Sequence, residues 1–209
     1  MPPATSTIVR TAAVLLGSLA AACGNNYVTD IDGAWIPACD QTIVPEDGPT
    51  VVILPATHEE DVALPHAPAV RIAADGQVSW RRVKAVRDRL IAAGARPVLL
   101  VGGHGDIHAL ALEDKLHDGK HLHLAATNDG KFCLGHPDSD QLYCVKGSDE
   151  HNISAAFIRE AMRKAIGEYK LYDVEVTVDP AMGWTNVVRA LDGVRTCCYE
   201  TAVRASLVQ

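Results

Sequence analysis

Five histidines crowd one short stretch of the chain: His104, His108, His117, His121 and His123. Imidazole is the commonest protein ligand for transition metals, so metal binding is the first chemistry to weigh. His104 and His108 are four apart. If residues 106–116 are helical, His104 lies near the helix start and His108 one turn on. The pair can then share a Zn or Cu ion with His121 or His123 from the adjacent strand. No HExxH or CxxC pattern supports this arrangement, and a Gly-rich loop, short helix and turn are more simply a polar connection. The expectation is no resident metal and no cofactor, with a His-rich metal-binding lipoprotein as the rival reading.

Other chemistries have less support. Gly102-Gly103-His104-Gly105 follows an apolar run, but it has neither the spaced glycines and Lys-Ser/Thr of a phosphate loop nor a dinucleotide GxGxxG. Asp75 and Asp179 stand at equivalent turns and could be taken for paired acids. Asp-Gly and Asp-Pro are turn signals in which the carboxylate bonds its own backbone, so structural roles are expected of both. No serine sits in a GxSxG elbow and no Cys-His pair has a recognisable context. The chain is therefore expected to be non-enzymatic, with no catalytic residue.

The cysteines speak about compartment. Met1 to Ala22 has one arginine, an apolar core around Ala12 to Leu19 and then small residues, the layout of a secretory signal. That core is too short to span a bilayer. Ala20, Ala21 and Ala22 precede Cys23, and this resembles a bacterial lipoprotein cleavage site at which Cys23 becomes the lipid-bearing N-terminus. The absence of Asp after Cys23 resembles the enterobacterial sorting pattern, which implies the outer membrane. In an oxidising compartment the remaining thiols tend to pair. Cys133 and Cys144 flank a turn-rich stretch that brings two short strands together, so a disulfide is expected between them. Cys39 is left to reach Cys197 or Cys198, a choice that spacing does not decide.

The elements that would hold these residues come from a repeat. Val70, Ile72, Ala74, Asp75, Trp80, Val83, Val86, Asp88 and Leu90 recur at identical spacing as Val174, Val176, Val178, Asp179, Trp184, Val187, Ala190, Asp192 and Val194. Period-2 alternation followed by helical spacing, then another apolar stretch, reads as strand, helix, strand in each copy. Ser79 is placed to cap the first helix, Val83, Val86, Leu90 and Ile91 to line one face, and Gly94 to end it. Arg81, Arg82, Lys84, Arg87 and Arg89 make that helix basic. Trp80 and Trp184 begin equivalent helices, where packing is expected. Between the copies, Leu122 to Leu124, Lys131 to Leu134 and Gln141 to Val145 read as a three-strand meander. A helix capped by Asn152 follows through Glu168, with Ile153, Phe157, Ala161 and Ala165 on one face. Residues 23–48 show no sustained periodicity and read as a tether anchored at Cys39.

This order, with Asp-Pro after the penultimate strand, resembles the periplasmic domain of the ExbD and TolR biopolymer transport family. Val174 to Ala190, VEVTVDPAMGWTNVVRA, carries the likeness best within 117–209. Val70 to Val101 looks like an incomplete second copy within 49–116. The resemblance implies an α/β (α+β) fold with a small mixed sheet, helices packed on one face, and partial duplication. It also implies self-association, as a homo-oligomer or an internal pseudo-dimer, and contact with envelope proteins or peptidoglycan. Family members drive transport through a membrane helix bearing an essential Asp. Ile8 to Ala22 has no acidic residue, so a proton relay is excluded here. A net charge of -7 without a basic block argues against nucleic acid. The expected protein is a lipid-anchored accessory or binding component on the periplasmic side of the envelope.

Overall fold

The computed structural model describes residues 29–40, 42–103, 106–110, 112, 116, 119–135, 138, 142–146, 154–195 and 203–208. The elements are β1 (Thr29–Ile31), β2 (Ala34–Ile36), β3 (Thr42–Ile43), β4 (Thr50–Ile53), a 3-10 turn (Glu59–Asp61), β5 (Ala69–Ala74), α1 (Trp80–Ala92), β6 (Arg96–Gly103) and β7 (Asp106–Leu110). They continue with β8 (Leu122–Ala126), β9 (Lys131–Gly135), β10 (Leu142–Lys146), α2 (Ala155–Tyr169), β11 (Asp173–Val178), α3 (Trp184–Arg195) and β12 (Arg204–Val208). The fold is mixed α/β, with two five-stranded mixed sheets ordered β3-β7-β6-β5-β4 and β10-β9-β8-β11-β12, plus the β1-β2 hairpin.

Each copy of the repeat builds the same parallel core. β5 pairs with β4 and β6, and β11 with β8 and β12, all parallel. The turns match bond for bond. Asp75 N–H donates to Ile53 and Asp179 N–H to Ala126, both at 2.9 Å, while Arg96 N–H donates to Pro68 and Arg204 N–H to Tyr172. The antiparallel strands are added on opposite sides, β7 and β3 beyond β6 in the first sheet and β9 and β10 beyond β8 in the second.

The copies meet at their turns. Trp80 N–H donates to Met182 and Trp184 N–H to Val78, each at 2.7 Å; Arg81 N–H donates to Pro180 and Thr185 N–H to Gly76. Ser79 and Gly183 form an antiparallel bridge at the centre. A helix start leaves backbone N–H groups without partners inside the helix. Here each copy supplies carbonyls to the other, so Ser79 occupies the cap position of α1 with no side-chain capping bond. The Trp80 and Trp184 rings stack at this junction, 5.8 Å between centroids and 15° between planes. One hydrophobic cluster runs through both copies, from Val51, Ile72 and Leu90 to Leu122, Val176 and Leu191.

Several elements differ from expectation for identifiable reasons. Residues 106–110 form a strand, not a helix: β7 pairs back on β6 from Gly103↔Asp106 to Leu100↔Ala109, and burial of Ala109 and Leu110 outweighs the helical spacing of the histidines. The 23–48 tether is built into the fold where it is described. Ala34 and Ile36 pack on Ala73, Val98 and Leu100, covering the face of the first sheet opposite α1. β3 pairs with β7, and Cys39 N–H donates to the Gly102 carbonyl. On α2 the buried face is Ile158, Met162, Ala165 and Ile166, while Phe157 is exposed; the helix begins after Ser154, and Asn152 and Ile153 lie outside the described residues. Ile91 is likewise exposed, although Gly94 ends α1 in the left-handed region as expected.

The basic face of α1 is put to internal use. Arg82 donates to the Pro55 and Leu54 carbonyls, and Arg89 to those of Glu59 and Val62, pinning the segment between β4 and β5. Lys84 and Arg87 pair with Asp88. At α3 the close contact is made by Gly193, where an added Cβ would lie 2.8 Å from both the Ala155 carbonyl oxygen and Ile158 Cβ of α2. Gly193→Ala gains helix propensity but overpacks this crossing, for a net loss of about 2 kcal/mol read from urea unfolding.

Candidate functional site

In the second sheet, β11 alternates cleanly. Val174, Val176 and Val178 are buried under the helices, and Glu175 and Thr177 point to the other face. β8 does the same with Leu122, Leu124 and Ala126 against His123 and Ala125. Because Glu175 is the register partner of His123, and His121 lies two residues earlier on the same side, three metal-type side chains converge. Their ligand atoms all lie within 4.8 Å of one another.

The contacts are specific. His121 Nε2 is 3.2 Å from Glu175 Oε2 and His123 Nδ1 is 3.4 Å from Glu175 Oε1. His121 Nδ1 lies 3.2 Å from the Gly119 carbonyl oxygen. The imidazole centroids are 4.8 Å apart. All three residues are half-buried. The nearest other carboxylate on β11, Asp173, is engaged by Arg204, whose Nε donates to Oδ1 at 2.6 Å.

Of the histidines read from sequence, the structure brings together His121 and His123 and adds Glu175, which spacing did not single out. His108 stands elsewhere, on β7 opposite Val101 in the first sheet. His104 and His117 lie outside the described residues. The carboxylates at the repeat turns are occupied by backbone: Asp75 accepts from Trp35 and Gln77 N–H groups and Asp179 from Ala181 N–H.

Cys133 and Cys144 are direct register partners on β9 and β10, and their sulfurs lie at bonding distance, 2.01 Å. Cys39 is buried with Sγ 3.5 Å from Asp192 Oδ1, the same oxygen that accepts from Asp40 N–H at 2.9 Å. Asp192 thus ties the N-terminal segment to α3, whereas its counterpart Asp88 sits on the surface of α1. Residues 1–22 and Cys23, like Cys197 and Cys198, lie outside the described residues. Among the described residues no helix is long and apolar enough to cross a membrane. Compared with protein-family models, curated proteins and solved structures, the chain matches none.

Proposed function

We propose that this chain is a non-enzymatic, lipid-anchored binding component on the periplasmic side of the cell envelope, most similar in design to the ExbD and TolR domains. The reciprocal joining of residues 76–81 with 180–185 carries this reading. It puts two related units face to face inside one chain, the kind of self-association that the resemblance implies between separate chains. The order β8, β9, β10, α2, β11, α3, β12, with Asp179-Pro180 just past β11, supports it. A bonded Cys133–Cys144 pair suits an oxidising compartment. Exposed Ile43 and Val44 at the open edge of the first sheet offer apolar surface to an envelope partner.

The test is labelled-palmitate incorporation with membrane fractionation in a Gram-negative host, followed by cosedimentation of the purified chain with peptidoglycan sacculi or cross-linking to envelope proteins. Lipid label in the outer-membrane fraction, lost in Cys23→Ala, together with sacculus or envelope cross-links, is the expected result. A chain that stays in the cytosol with Cys133 and Cys144 reduced rules the reading out.

A further inference from the structure

We propose that His121, His123 and Glu175 bind one divalent transition-metal ion of the kind that favours imidazole, with Zn(II) as the principal ligand. The inference goes beyond the envelope reading and does not depend on it. The three donors are two imidazole nitrogens and a carboxylate, a set used by zinc sites that keep a coordination position open. Donors about 2.0–2.1 Å from a tetrahedral ion lie roughly 3.3 Å apart. The imidazole nitrogens lie 3.2 and 3.4 Å from the two Glu175 carboxylate oxygens, one on each, and one ligand atom from each residue falls within 4.8 Å of the others, so small side-chain rotations bring the set to that spacing.

The surroundings are those of a ligand set. A metal-bound histidine commonly directs its other ring N–H to a backbone carbonyl, which fixes the ring and its tautomer. His121 Nδ1 has that partner in Gly119. In the tautomer with the proton on Nδ1, Nε2 is the donor atom presented beside Glu175 Oε2, 3.2 Å away. Asp173 cannot take this place, because Arg204 already holds it. The fold itself does not require these side chains. The first copy forms the same parallel strand pair with Thr50 opposite Arg71, where the second has His123 opposite Glu175. Its equivalent face is moreover roofed by the β1-β2 hairpin, whereas His121, His123 and Glu175 keep part of their surface open to solvent. As a purely structural ion pair between half-exposed groups, the cluster would add little to stability.

Isothermal titration of the purified chain with Zn(II), and Co(II) absorption as a coordination signature, test the proposal. One equivalent of Zn(II) is expected to bind. His121→Ala, His123→Thr and Glu175→Gln should each weaken binding about tenfold or more. His123→Thr introduces the residue that the first copy carries at the equivalent position, so the strand pair is kept, and circular dichroism verifies folding of each variant. His108→Ala leaves binding unchanged. Absence of uptake at about 100 μM Zn(II), or uptake that persists in the His121→Ala and His123→Thr variants, overturns the assignment.

Discussion

Trp184→Ala is expected to destabilise the protein by about 4 kcal/mol, lowering the thermal midpoint by roughly 10 °C in a chain of this size. The residue is 1% exposed and its ring stacks on Trp80 where the two repeats meet. Truncation therefore removes a large buried surface and a geometry-dependent aromatic contact together, and leaves a cavity shared by both halves. Trp80→Ala should cost a similar amount, because Trp80 occupies the mirror position. The double variant should cost clearly less than the two singles combined, since the second truncation enters a stack already broken. Trp184→Phe provides the control. The indole Nε1 of Trp184 is buried with no hydrogen-bond partner among the described residues, so Phe keeps a ring for the stack and discards an unsatisfied donor, at a cost of about 1–2 kcal/mol. Thermal and urea unfolding followed by circular dichroism measure all four. A Trp184→Ala loss below about 1 kcal/mol would mean that the junction is held by its backbone hydrogen bonds alone.

That junction was partly legible in the residues. Identical spacing of Val70 to Leu90 and Val174 to Val194 announces two equivalent strand-helix units, because both period-2 and helical spacing must be satisfied by the same residues twice. What spacing does not contain is the direction of the backbone bonds between Gly76 and Thr185 or between Trp80 and Met182. Those depend on how two turns approach in space. The β1-β2 hairpin was hidden for a different reason. Its strands are three residues long and the β2 pattern is only buried, exposed, buried, too short for periodicity to stand above a loop. The expected helix over 106–116 gives way to β7 over 106–110, because Gly102 and Gly103 extend β6 and Asp106 to Ala109 pair back on it, a partnership that local spacing does not contain. Between Val174 and Val176, Glu175 has the sequence signature of nothing more than the polar side of an alternating strand. Only the register that sets it against His123 gives it chemical company.

Removing the Cys133–Cys144 bond, by Cys133→Ala with Cys144→Ala or by reduction, is expected to destabilise the protein by about 3 kcal/mol. Closing an 11-residue separation restricts the unfolded chain by about that amount in the loop-entropy account. The loss should have a location. Among the described residues β10 is an edge strand with β9 as its one sheet neighbour, so its amides should exchange with solvent sooner once the sulfur link is gone. β8 and β11 are paired deeper in the same sheet, β8 between β9 and β11, and β11 between β8 and β12. They carry His123 and Glu175, so Zn(II) affinity should stay within about twofold while global stability falls, because fraying of an edge need not reach strands with lower opening probability. Hydrogen exchange and Zn(II) titration on one sample separate the two effects. If the affinity falls in step with the stability, β9 and β10 must be positioning the imidazoles, and the edge of this sheet belongs to its binding face.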